Sequence, residues 1–395
     1  MTPASTMRIS PAVRASALLV IAGTALSQTP PAAEKTPALP EPPAVWSKPP
    51  DTPNDSLVSP EVSTEGRVTF RLYAREARKV TIRLNSDFGG GPLDFIKGEN
   101  GVWSATSAPV PSGAYRYNFM VDGANVLDNR NPSTSPGALN VQSVVEVSRD
   151  AGDIQANRPG IEHGTVSTVY YDSPVSGGQR RLHLYLPPGY EKGKDYPVLY
   201  LLHGGGDDDD AWPTVGRANF ILDNLIAAGK AKPMVVVFPN GGINGNLQQV
   251  PDPEDDPFTA ELLTVIIPHI EARYRVSKQP EDRAIAGLSR GGNQAIYLGL
   301  THTRQFRYLG IFSSGMPNKK VFEEKHGPTL KQEAAKLELI WFGYGARDPA
   351  KPGAQDAQRF LDRYEIKYHS EETPGGHVWA NWRLYLSRFA PLLFH

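Results

Sequence analysis

The sequence predicts a small all-β unit followed by a larger α/β domain with a mostly parallel sheet. The length of 395 residues leaves room for two or three domains. Apolar residues alternate along short segments between residues 57 and 150, which is the pattern of strands with one buried face. From residue 161 onward, strands rich in Val, Ile and Leu alternate with helical periodicity, as in sheets covered by helices on both faces.

Charge balance and cysteine content exclude several classes of function. Lys and Arg number 41 against 42 Asp and Glu, a net charge of −1, so no overall field favours nucleic acid or an acidic membrane surface. The chain contains no cysteine, which excludes disulfides, thiolate zinc sites and a cysteine nucleophile. Any metal therefore depends on histidines and carboxylates.

The first 56 residues predict an export signal and a linker. Arg8 and Arg14 precede the apolar stretch 15–26, which ends in small residues, the layout of a secretory signal peptide over residues 1–27. This stretch is shorter than the roughly 20 residues of a membrane span. Nine prolines fall within residues 28–56 and predict an extended, disordered linker. We expect a secreted or periplasmic protein, with a disordered cytosolic tail as the alternative.

Alternating residues mark the strands of the first unit, residues 57–150. They are Val68, Phe70 and Leu72; Val80, Ile82 and Leu84; and Tyr115, Tyr117, Phe119 and Val121. Turn signals such as Asn-Gly and Asp-Gly separate these runs, so we predict an antiparallel sandwich of about 90 residues.

A resemblance supports this interpretation of the first unit. The segment 113–123, followed by Asn131-Pro132, resembles the immunoglobulin-like modules that precede catalytic domains in starch-branching enzymes and some esterases. Such modules can bind glycans on exposed aromatic rings. Trp103, Tyr115 and Tyr117 are the candidates for that role, and the alternative is that these rings form the core of the sandwich.

Residues 161–395 are predicted to form the α/β domain. The candidate strands are 165–171, 181–186, 196–202, 234–238, 283–286, 308–312 and 337–344. The candidate helices are 219–228, 258–274, 292–300, 354–364 and 382–393.

One motif indicates nucleophilic chemistry. Gly287-Leu288-Ser289-Arg290-Gly291 fits G-x-S-x-G and lies between a predicted strand and a predicted helix, where an α/β-hydrolase fold places its nucleophile. Small residues on both sides let strand and helix approach a sharp turn, and the helix N-terminus favours developing negative charge. Ser289 is therefore the predicted nucleophile.

A glycine-rich loop follows the strand predicted at 196–202. His203-Gly204-Gly205-Gly206 occupies the position of the oxyanion loop in this fold, where glycines let N–H groups approach a reacting carbonyl. We predict an oxyanion hole made of the N–H groups of Gly205 and Arg290. A phosphate-binding interpretation fails because no Lys-Ser/Thr follows the glycines.

The base and its acid are expected after Ser289, because this fold uses the order Ser, acid, His. His377, in a late Pro-Gly-Gly-His loop, is the predicted base, and His369 and His395 are less favoured. Asp348 follows a predicted strand at its carboxyl end, where sites of α/β proteins assemble. Asp348 is the predicted acid, which holds the imidazole tautomer and stabilises the imidazolium.

The second unit resembles the esterase D-type α/β-hydrolases of carbohydrate esterase family 1 over nearly all of residues 164–395. The matching segments are 201–206, 219–230, 238–241, 287–289, 345–348 and 376–379. The resemblance implies an α/β-hydrolase catalytic domain preceded by a small immunoglobulin-like sandwich, as in feruloyl and acetyl xylan esterases. It also implies a serine esterase without cofactor or metal, with Ser289, Asp348 and His377 as its triad and His203 as the residue that orients the loop.

Two features depart from the family pattern. Position 290 is Arg where many members have Met; its side chain is expected to project away from the site, with pairing to an Asp or to a substrate carboxylate as the alternative. The run Asp207-Asp208-Asp209-Asp210 lies beside the oxyanion loop. A solvated acidic loop is expected there, with a calcium site as the alternative.

Three residues that follow predicted site segments are candidates for substrate binding: Trp212, Asn240 and Trp379. They are predicted to form pocket walls, because an aromatic acyl group needs flat apolar surface. Trp382, in the predicted closing helix, is expected to belong to the core.

The sequence thus predicts an exported serine carboxylic ester hydrolase, most specifically a feruloyl esterase that acts on arabinoxylan. An acetyl xylan esterase and an esterase of siderophores or other aromatic esters are alternatives, and a glycan-binding protein with an inactive site is the non-enzymatic alternative. The expected partner is an ester-substituted plant wall polysaccharide or oligosaccharide, not nucleic acid and not a membrane.

Overall fold

A computed structural model describes residues 51–89, 93–149, 152–193, 195–243 and 253–395. The predicted signal peptide and the predicted linker up to residue 50 lie outside the described residues. A short 3-10 helix, Pro53–Ser56, forms the end of the segment that the sequence predicts as a disordered linker. Residues Asp51–His395 make one compact unit. Within the described ranges, no helix has the length and apolar character that crossing a membrane requires.

The first part of this unit is a sandwich of two antiparallel sheets, as the sequence predicts. One sheet contains, in spatial order, β1 (Glu61–Val62), β2 (Val68–Tyr73), β5 (Val102–Thr106) and β4 (Ile96–Lys97). The other contains β3 (Val80–Leu84), β6 (Gly113–Val121), β9 (Val141–Val147) and β8 (Thr134–Pro136), with β7 (Ala124–Val126) paired to β6.

Aromatic rings form the core between the two sheets. The ring centroids of Phe70 and Tyr117 lie 4.8 Å apart, and Phe88 meets Tyr115 edge-on at 5.2 Å. Trp103 is also buried, and its Nε1–H donates to a backbone carbonyl. The three aromatic residues considered for glycan stacking are therefore core residues, because a sugar needs an exposed ring face.

The second part is built on an eight-stranded sheet. The antiparallel hairpin of β10 (Thr165–Ser173) and β11 (Gly178–Leu186) forms one edge. The other strands run parallel: β12 (Val198–Leu202), β13 (Val235–Pro239), β14 (Arg283–Leu288), β15 (Tyr308–Phe312), β16 (Leu339–Gly345) and β17 (His369–Thr373). The order is β10-β11-β13-β12-β14-β15-β16-β17, which confirms the predicted mostly parallel sheet.

Helices cover both faces of this sheet. Alternate residues of β12 point to opposite faces, since Tyr200 joins one core and Leu201 the other, so the strand is apolar throughout. One face is covered by α1 (Ala218–Ala227) and α7 (Trp379–Phe389). The other is covered by α2 (Pro257–Glu261), α3 (Ile267–Arg273), α4 (Arg290–Thr301), α5 (Lys319–Ala334) and α6 (Lys351–Arg363).

Two helical regions differ from the prediction. The helix predicted at 258–274 contains a π-helical turn, Leu262–Ile266, between α2 and α3. The sequence does not predict α5, because its apolar residues lack helical periodicity and Pro328 lies inside it.

The carboxyl ends of the parallel strands position the candidate site. From β12 the chain continues to β13 on one side, and β14 lies on the other side of β12. Loops that leave neighbouring strands in opposite directions open a crevice at this edge. The loop after β12 begins at His203, the turn after β14 holds Ser289, and the loop after β16 holds Asp348.

Candidate active site

Ser289 lies on a sharp turn between β14 and α4. Its backbone has φ 51° and ψ −118°, a conformation that residues other than glycine rarely adopt. The Ser289 N–H donates to the Phe312 carbonyl at 2.8 Å, and the Ser314 hydroxyl donates to the Ser289 carbonyl at 2.7 Å. This strained, well-anchored backbone is the geometry of a nucleophile elbow.

The two glycines of the motif are required by close backbone approach. A β-carbon on Gly287 would lie 2.4 Å from the carbonyl oxygen of Gly291. A β-carbon on Gly291 would lie 2.4 Å from the carbonyl oxygen of His203. Because these neighbours are backbone atoms, they cannot rotate away. The glycines therefore let β14, α4 and the oxyanion loop meet around Ser289.

His377 links Ser289 to Asp348 through hydrogen bonds. Its Nε2 lies 3.0 Å from Ser289 Oγ, and its Nδ1 lies 2.9 Å from Asp348 Oδ1. Because the Asp348 carboxylate accepts a hydrogen bond from Nδ1–H, the proton of the neutral ring is on Nδ1. Nε2 is therefore free to accept the serine proton. The structure thus brings together the three residues predicted as nucleophile, base and acid.

The Asp348 carboxyl is held in its charged form in a site closed to solvent. Its side chain is 0% exposed. Burial raises the pKa of this carboxyl, but hydrogen bonds from His377, Ser313 and the N–H of Ala350 outweigh burial and bring the pKa below its usual 3.8. The carboxylate is therefore suited to stabilise an imidazolium.

Two residues that the sequence does not assign to the site support the triad. Trp382 is buried as expected, and its ring meets the His377 ring edge-on with centroids 5.0 Å apart. The Trp382 Nε1–H donates to Ser313 Oγ at 2.9 Å. Ser313 directly follows β15, so its place at the carboxyl edge of the sheet is the signal that would have identified it.

The glycine-rich loop lies beside the nucleophile. A β-carbon on Gly204 would lie 3.4 Å from that of Ser289, whereas one on Gly205 would have no described atom within 4 Å. Among the described residues, neither the Gly205 N–H nor the Arg290 N–H has a hydrogen-bond acceptor. Both groups are thus available to an oxyanion, and their assignment to the oxyanion hole stays a prediction.

His203 holds the loop in place, as the resemblance implies. Its Nε2 accepts from the Gly241 N–H at 3.0 Å, and its Nδ1–H donates to the Gly204 carbonyl at 2.8 Å. Burial lowers the pKa of this histidine below its usual 6.5. A neutral ring with both nitrogens bonded to backbone orients the loop instead of transferring protons.

The side chain of Arg290 binds the loop that follows β13. Its Nη2 donates to the Gly241 carbonyl at 2.9 Å, and Gln294 Nε2 donates to the same oxygen at 3.2 Å. Gly241 also bonds to His203. Arg290 therefore connects the start of α4 to the segment that holds the oxyanion loop.

A cleft of about 470 Å³ opens beside Ser289. It combines polar groups with a short apolar strip and contains no aromatic ring among its lining residues, which are Ser289, Asn293, Ser313, Ser314, Gly315, Met316, Pro317, Asn318, Lys319, Pro349, Ala350, Gly353 and Asp356. Lys319 and Asp356 form an ion pair at its rim.

The predicted pocket walls lie outside this cleft. Trp212 is 1% exposed and donates to the Leu202 carbonyl, and Trp379 is 3% exposed and meets Trp212 edge-on at 5.2 Å. Both rings belong to the core beneath α1 and α7, so the prediction that they form pocket walls is wrong. Asn240 closes a turn by accepting from the Gly242 N–H at 3.0 Å, and its predicted contact with substrate stays a prediction.

The acidic run Asp207 to Asp210 is not a solvated loop. Arg181 lies 2.7 to 3.2 Å from the carboxylates of residues 208–210, and His183 Nδ1 lies 2.8 Å from Asp209. Asp207 pairs with Arg116 of the sandwich at 2.5 Å. The expected solvated loop is wrong, because these carboxylates are largely buried against basic side chains from other elements.

A serine held on an elbow of this kind, and hydrogen-bonded through a histidine to a buried aspartate, defines the α/β-hydrolase class. The family model described as "Putative esterase" matches residues 173–392, and the chain belongs to this esterase family. A second model, carbohydrate-binding module 48 (isoamylase N-terminal domain), matches residues 58–138, within the sandwich. These matches confirm the predicted combination of an esterase domain with an immunoglobulin-like module.

Similar proteins include esterases of aromatic acids. The endo-1,4-beta-xylanase/feruloyl esterase of Xylanibacter ruminicola is 31% identical over 346 residues, which are 85% of this chain and 46% of that protein. A solved ferulic acid esterase has a TM-score of 0.52 at 26% identity and covers 58% of this chain and 97% of its own. The enterobactin esterase FES of Shigella flexneri shares the fold with a TM-score of 0.61 at 17% identity, over 82% of this chain and 92% of its own. This chain thus spans less than half the length of its Xylanibacter relative.

Proposed function

We propose that this protein is an exported serine carboxylic ester hydrolase, a feruloyl esterase that releases hydroxycinnamates from plant cell-wall arabinoxylan. The observation that carries the proposal is the bonded triad, with His377 Nε2 3.0 Å from Ser289 Oγ and Nδ1 2.9 Å from the buried Asp348. A serine hydroxyl paired with an oriented imidazole is an activated nucleophile. No metal or cofactor enters this chemistry.

The reaction proceeds through an acyl-enzyme. Ser289 Oγ attacks the ester carbonyl while His377 accepts its proton, and the N–H groups of Gly205 and Arg290 bind the resulting oxyanion. His377 then protonates the ester oxygen of the sugar as its bond to the carbonyl carbon breaks, so the sugar leaves as an alcohol and the acyl group remains on Ser289. Water attacks this ester with His377 again as base, which releases the acid and restores the serine. Asp348 stabilises the imidazolium in both steps.

The choice of a feruloyl ester is supported by the two similar proteins whose names include that activity. The cleft beside Ser289 fits the sugar that carries the ester. Its lining includes the polar side chains of Asn318 and Lys319, the latter paired with Asp356, and the apolar side chains of Met316, Pro317 and Pro349, a mixture suited to a sugar.

Acetylated xylan and aromatic siderophore esters are the competing substrates. The enterobactin esterase supports only the shared fold, because its identity is 17%. The Xylanibacter relative, at 31% identity, favours the plant wall ester instead. The test of the proposed function therefore includes an acetyl ester and a catechol ester as substrates.

Export is part of the proposal and depends on residues 1–27. The charged residues followed by a short apolar stretch direct the chain to the periplasm or the medium. N-terminal sequencing of protein recovered from its native host should place the mature terminus close to Gln28. Recovery of an intact terminus from the cytosol would contradict export.

The test compares ester turnover by the wild type, Ser289→Ala and Ser387→Ala. Ser387 is a matched control because it lies on α7 and bonds to the Leu384 carbonyl. Methyl ferulate, an acetyl ester, a catechol ester and feruloylated arabinoxylan oligomers serve as substrates. We expect ferulate release that Ser289→Ala lowers by roughly 10⁵- to 10⁶-fold and that Ser387→Ala leaves intact.

The substrate series separates the remaining hypotheses. Turnover of the acetyl ester alone would identify an acetyl xylan esterase, and turnover of the catechol ester without the oligomers would identify an esterase of other aromatic esters. Unchanged turnover in Ser289→Ala would disprove the mechanism. Xylan binding without any hydrolysis would support the glycan-binding alternative.

A further inference from the structure

Arg116 joins the sandwich to the oxyanion loop. It lies on β6, and its Nη1 is 2.5 Å from Oδ1 of Asp207, the residue directly after Gly206. The two side chains are 9% and 10% exposed. Arg116 Nε also donates to Ser135 Oγ at 3.0 Å, which keeps the guanidinium in place.

The backbone of the sandwich touches the same loop. The Ala138 N–H, in the turn between β8 and β9, donates to the Gly206 carbonyl at 3.1 Å. A β-carbon on Gly137 would lie 2.9 Å from that carbonyl oxygen. The sandwich therefore contacts the oxyanion loop with both a charged side chain and a close-fitting turn.

The same guanidinium lies beside the helix that follows the base. Its central carbon is 5.7 Å from the ring centroid of Trp379, a cation–π distance. Trp379 begins α7, two residues after His377. Arg116 thus lies between the segment that holds the oxyanion loop and the segment that holds the base.

Removal of this guanidinium leaves Asp207 as an unpaired carboxylate in a buried place. An isolated buried charge is unfavourable, so the segment is expected to move until Asp207 reaches water. Gly204 to Gly206 directly precede Asp207 and move with it. Even a displacement of about 1 Å at a catalytic group lowers turnover about 100-fold.

We propose that Arg116 is a positioning residue for ester hydrolysis: the sandwich fixes the oxyanion loop through the Arg116–Asp207 pair and the Ala138–Gly206 hydrogen bond. This inference rests on the proposed function, because it assigns a role in the same reaction. The sandwich is then a structural part of the active site, and this role does not depend on glycan binding. Catalytic turnover and the docking of the sandwich are thereby coupled.

The experiment compares Arg116→Met with Arg217→Met. Arg217 is a matched control because its pair with Glu146, at 2.6 Å, also joins the two parts of the chain, and within the described ranges Arg217 shows no hydrogen bond or ion pair to Gly204, Gly205 or Gly206. We expect Arg116→Met to lower kcat about 10- to 100-fold with little change in KM. Arg217→Met should keep kcat within about twofold.

Active-site titration with an aryl phosphonate separates positioning from unfolding. The phosphonate forms a tetrahedral adduct on Ser289 and counts the folded sites, so kcat is expressed per titrated site. In Arg116→Met the rate of phosphonylation should fall in parallel with kcat, because the adduct also places an oxygen in the oxyanion hole. Arg116→Lys should restore part of both rates, since it keeps the charge.

Two further variants keep the inference testable where Arg116→Met fails to fold. Gly137→Ala crowds the Gly206 carbonyl without changing charge and should lower kcat per site, whereas Gly178→Ala, which meets no described atom within 4 Å, should not. Wild-type kcat per site in Arg116→Met, Arg116→Lys and Gly137→Ala would overturn the inference. Absence of ester turnover in the wild type would instead overturn the proposed function.

Discussion

Ser289 and the glycine-rich loop are neighbours, but different parts of the chain hold them. The elbow at Ser289 is fixed by backbone contacts, because Gly287 and Gly291 bring β14, α4 and the loop together. The glycine-rich loop is held by the side chains of His203 and Arg116 and by the Ala138 N–H of the sandwich. The first arrangement is encoded in five consecutive residues, and the second depends on contacts between residues far apart in sequence.

Two buried carboxylates, Asp348 and Asp207, differ in the kind of partner that holds them. Asp348 pairs with an imidazole that is 30% exposed and lies 3.0 Å from Ser289 Oγ. Asp207 pairs with the buried guanidinium of Arg116, which lies on the sandwich. The first carboxylate is predicted to take part in chemistry, while the second joins two parts of the structure.

Substitution of Asp348 tests the chemical side of this comparison and should have the largest effect. Asp348→Asn removes the charge that stabilises the imidazolium and favours the wrong tautomer of His377, so kcat should fall about 10⁴-fold. KM should change little, because Asp348 is buried beneath the base. Steady-state kinetics on methyl ferulate measure both constants.

Asp362→Asn is the matched control for this variant. Asp362 is exposed on α6, so its amide should leave kcat unchanged. A loss of less than tenfold in Asp348→Asn would contradict its role as the acid of the triad.

Substitution of Gly291 tests whether the two regions share one packing constraint. The new β-carbon of Gly291→Ala would lie 2.4 Å from the His203 carbonyl and 2.8 Å from the Leu202 β-carbon. It would therefore push α4 away from the end of β12 and from the glycine-rich loop. We expect about 1 to 3 kcal/mol less free energy of unfolding, measured by urea denaturation, and a lower kcat per titrated site.

A glycine in another helix supplies the comparison. Gly353, in α6, has open space around an added β-carbon, whose nearest described neighbour is 3.9 Å away. Gly353→Ala should therefore raise the free energy of unfolding by up to about 1 kcal/mol. Equal effects of the two substitutions would mean that Gly291 is not under steric constraint.

The parts of the site that the sequence predicts are those with local signals. The elbow motif between a strand and a helix points to Ser289, and a late loop histidine and an aspartate at a strand end point to His377 and Asp348, which the structure places in hydrogen-bonding contact. The alternating apolar runs predict the sandwich, and the continuous apolar runs predict the mostly parallel sheet. Each of these signals lies within a few residues of the feature it predicts.

The errors arise where the fold brings distant residues together. The sequence shows four successive aspartates, but the arginines and the histidine that pair with them lie on β6 and β11. Trp212 and Trp379 follow site segments, yet they pack against each other in the core. Helix α5 lacks an apolar stripe, so no period predicts it. In each case the environment of the residues depends on packing between elements that are distant in sequence, and the pattern of a single sequence does not reveal that packing.

The pH dependence of stability tests how firmly His203 holds the glycine-rich loop. Burial lowers the folded-state pKa of His203 below 6.5, so the unfolded chain binds a proton that the folded protein does not. The stabilisation is therefore complete above the unfolded pKa and is lost as the pH falls below it. His203 should account for up to about 1 kcal/mol of lost stability between about pH 7.5 and 5.5.

Urea denaturation of the wild type and of His203→Asn across this range measures that contribution. His269 and His302, whose pKa values burial also lowers, are present in both proteins, so their effects cancel in the difference. The variant should be less stable at neutral pH, because it loses the bonds to Gly204 and Gly241, but its stability should fall less steeply on acidification. Parallel curves would show that the His203 ring accepts a proton in the folded protein, and the loop would then be held less rigidly than the elbow beside it.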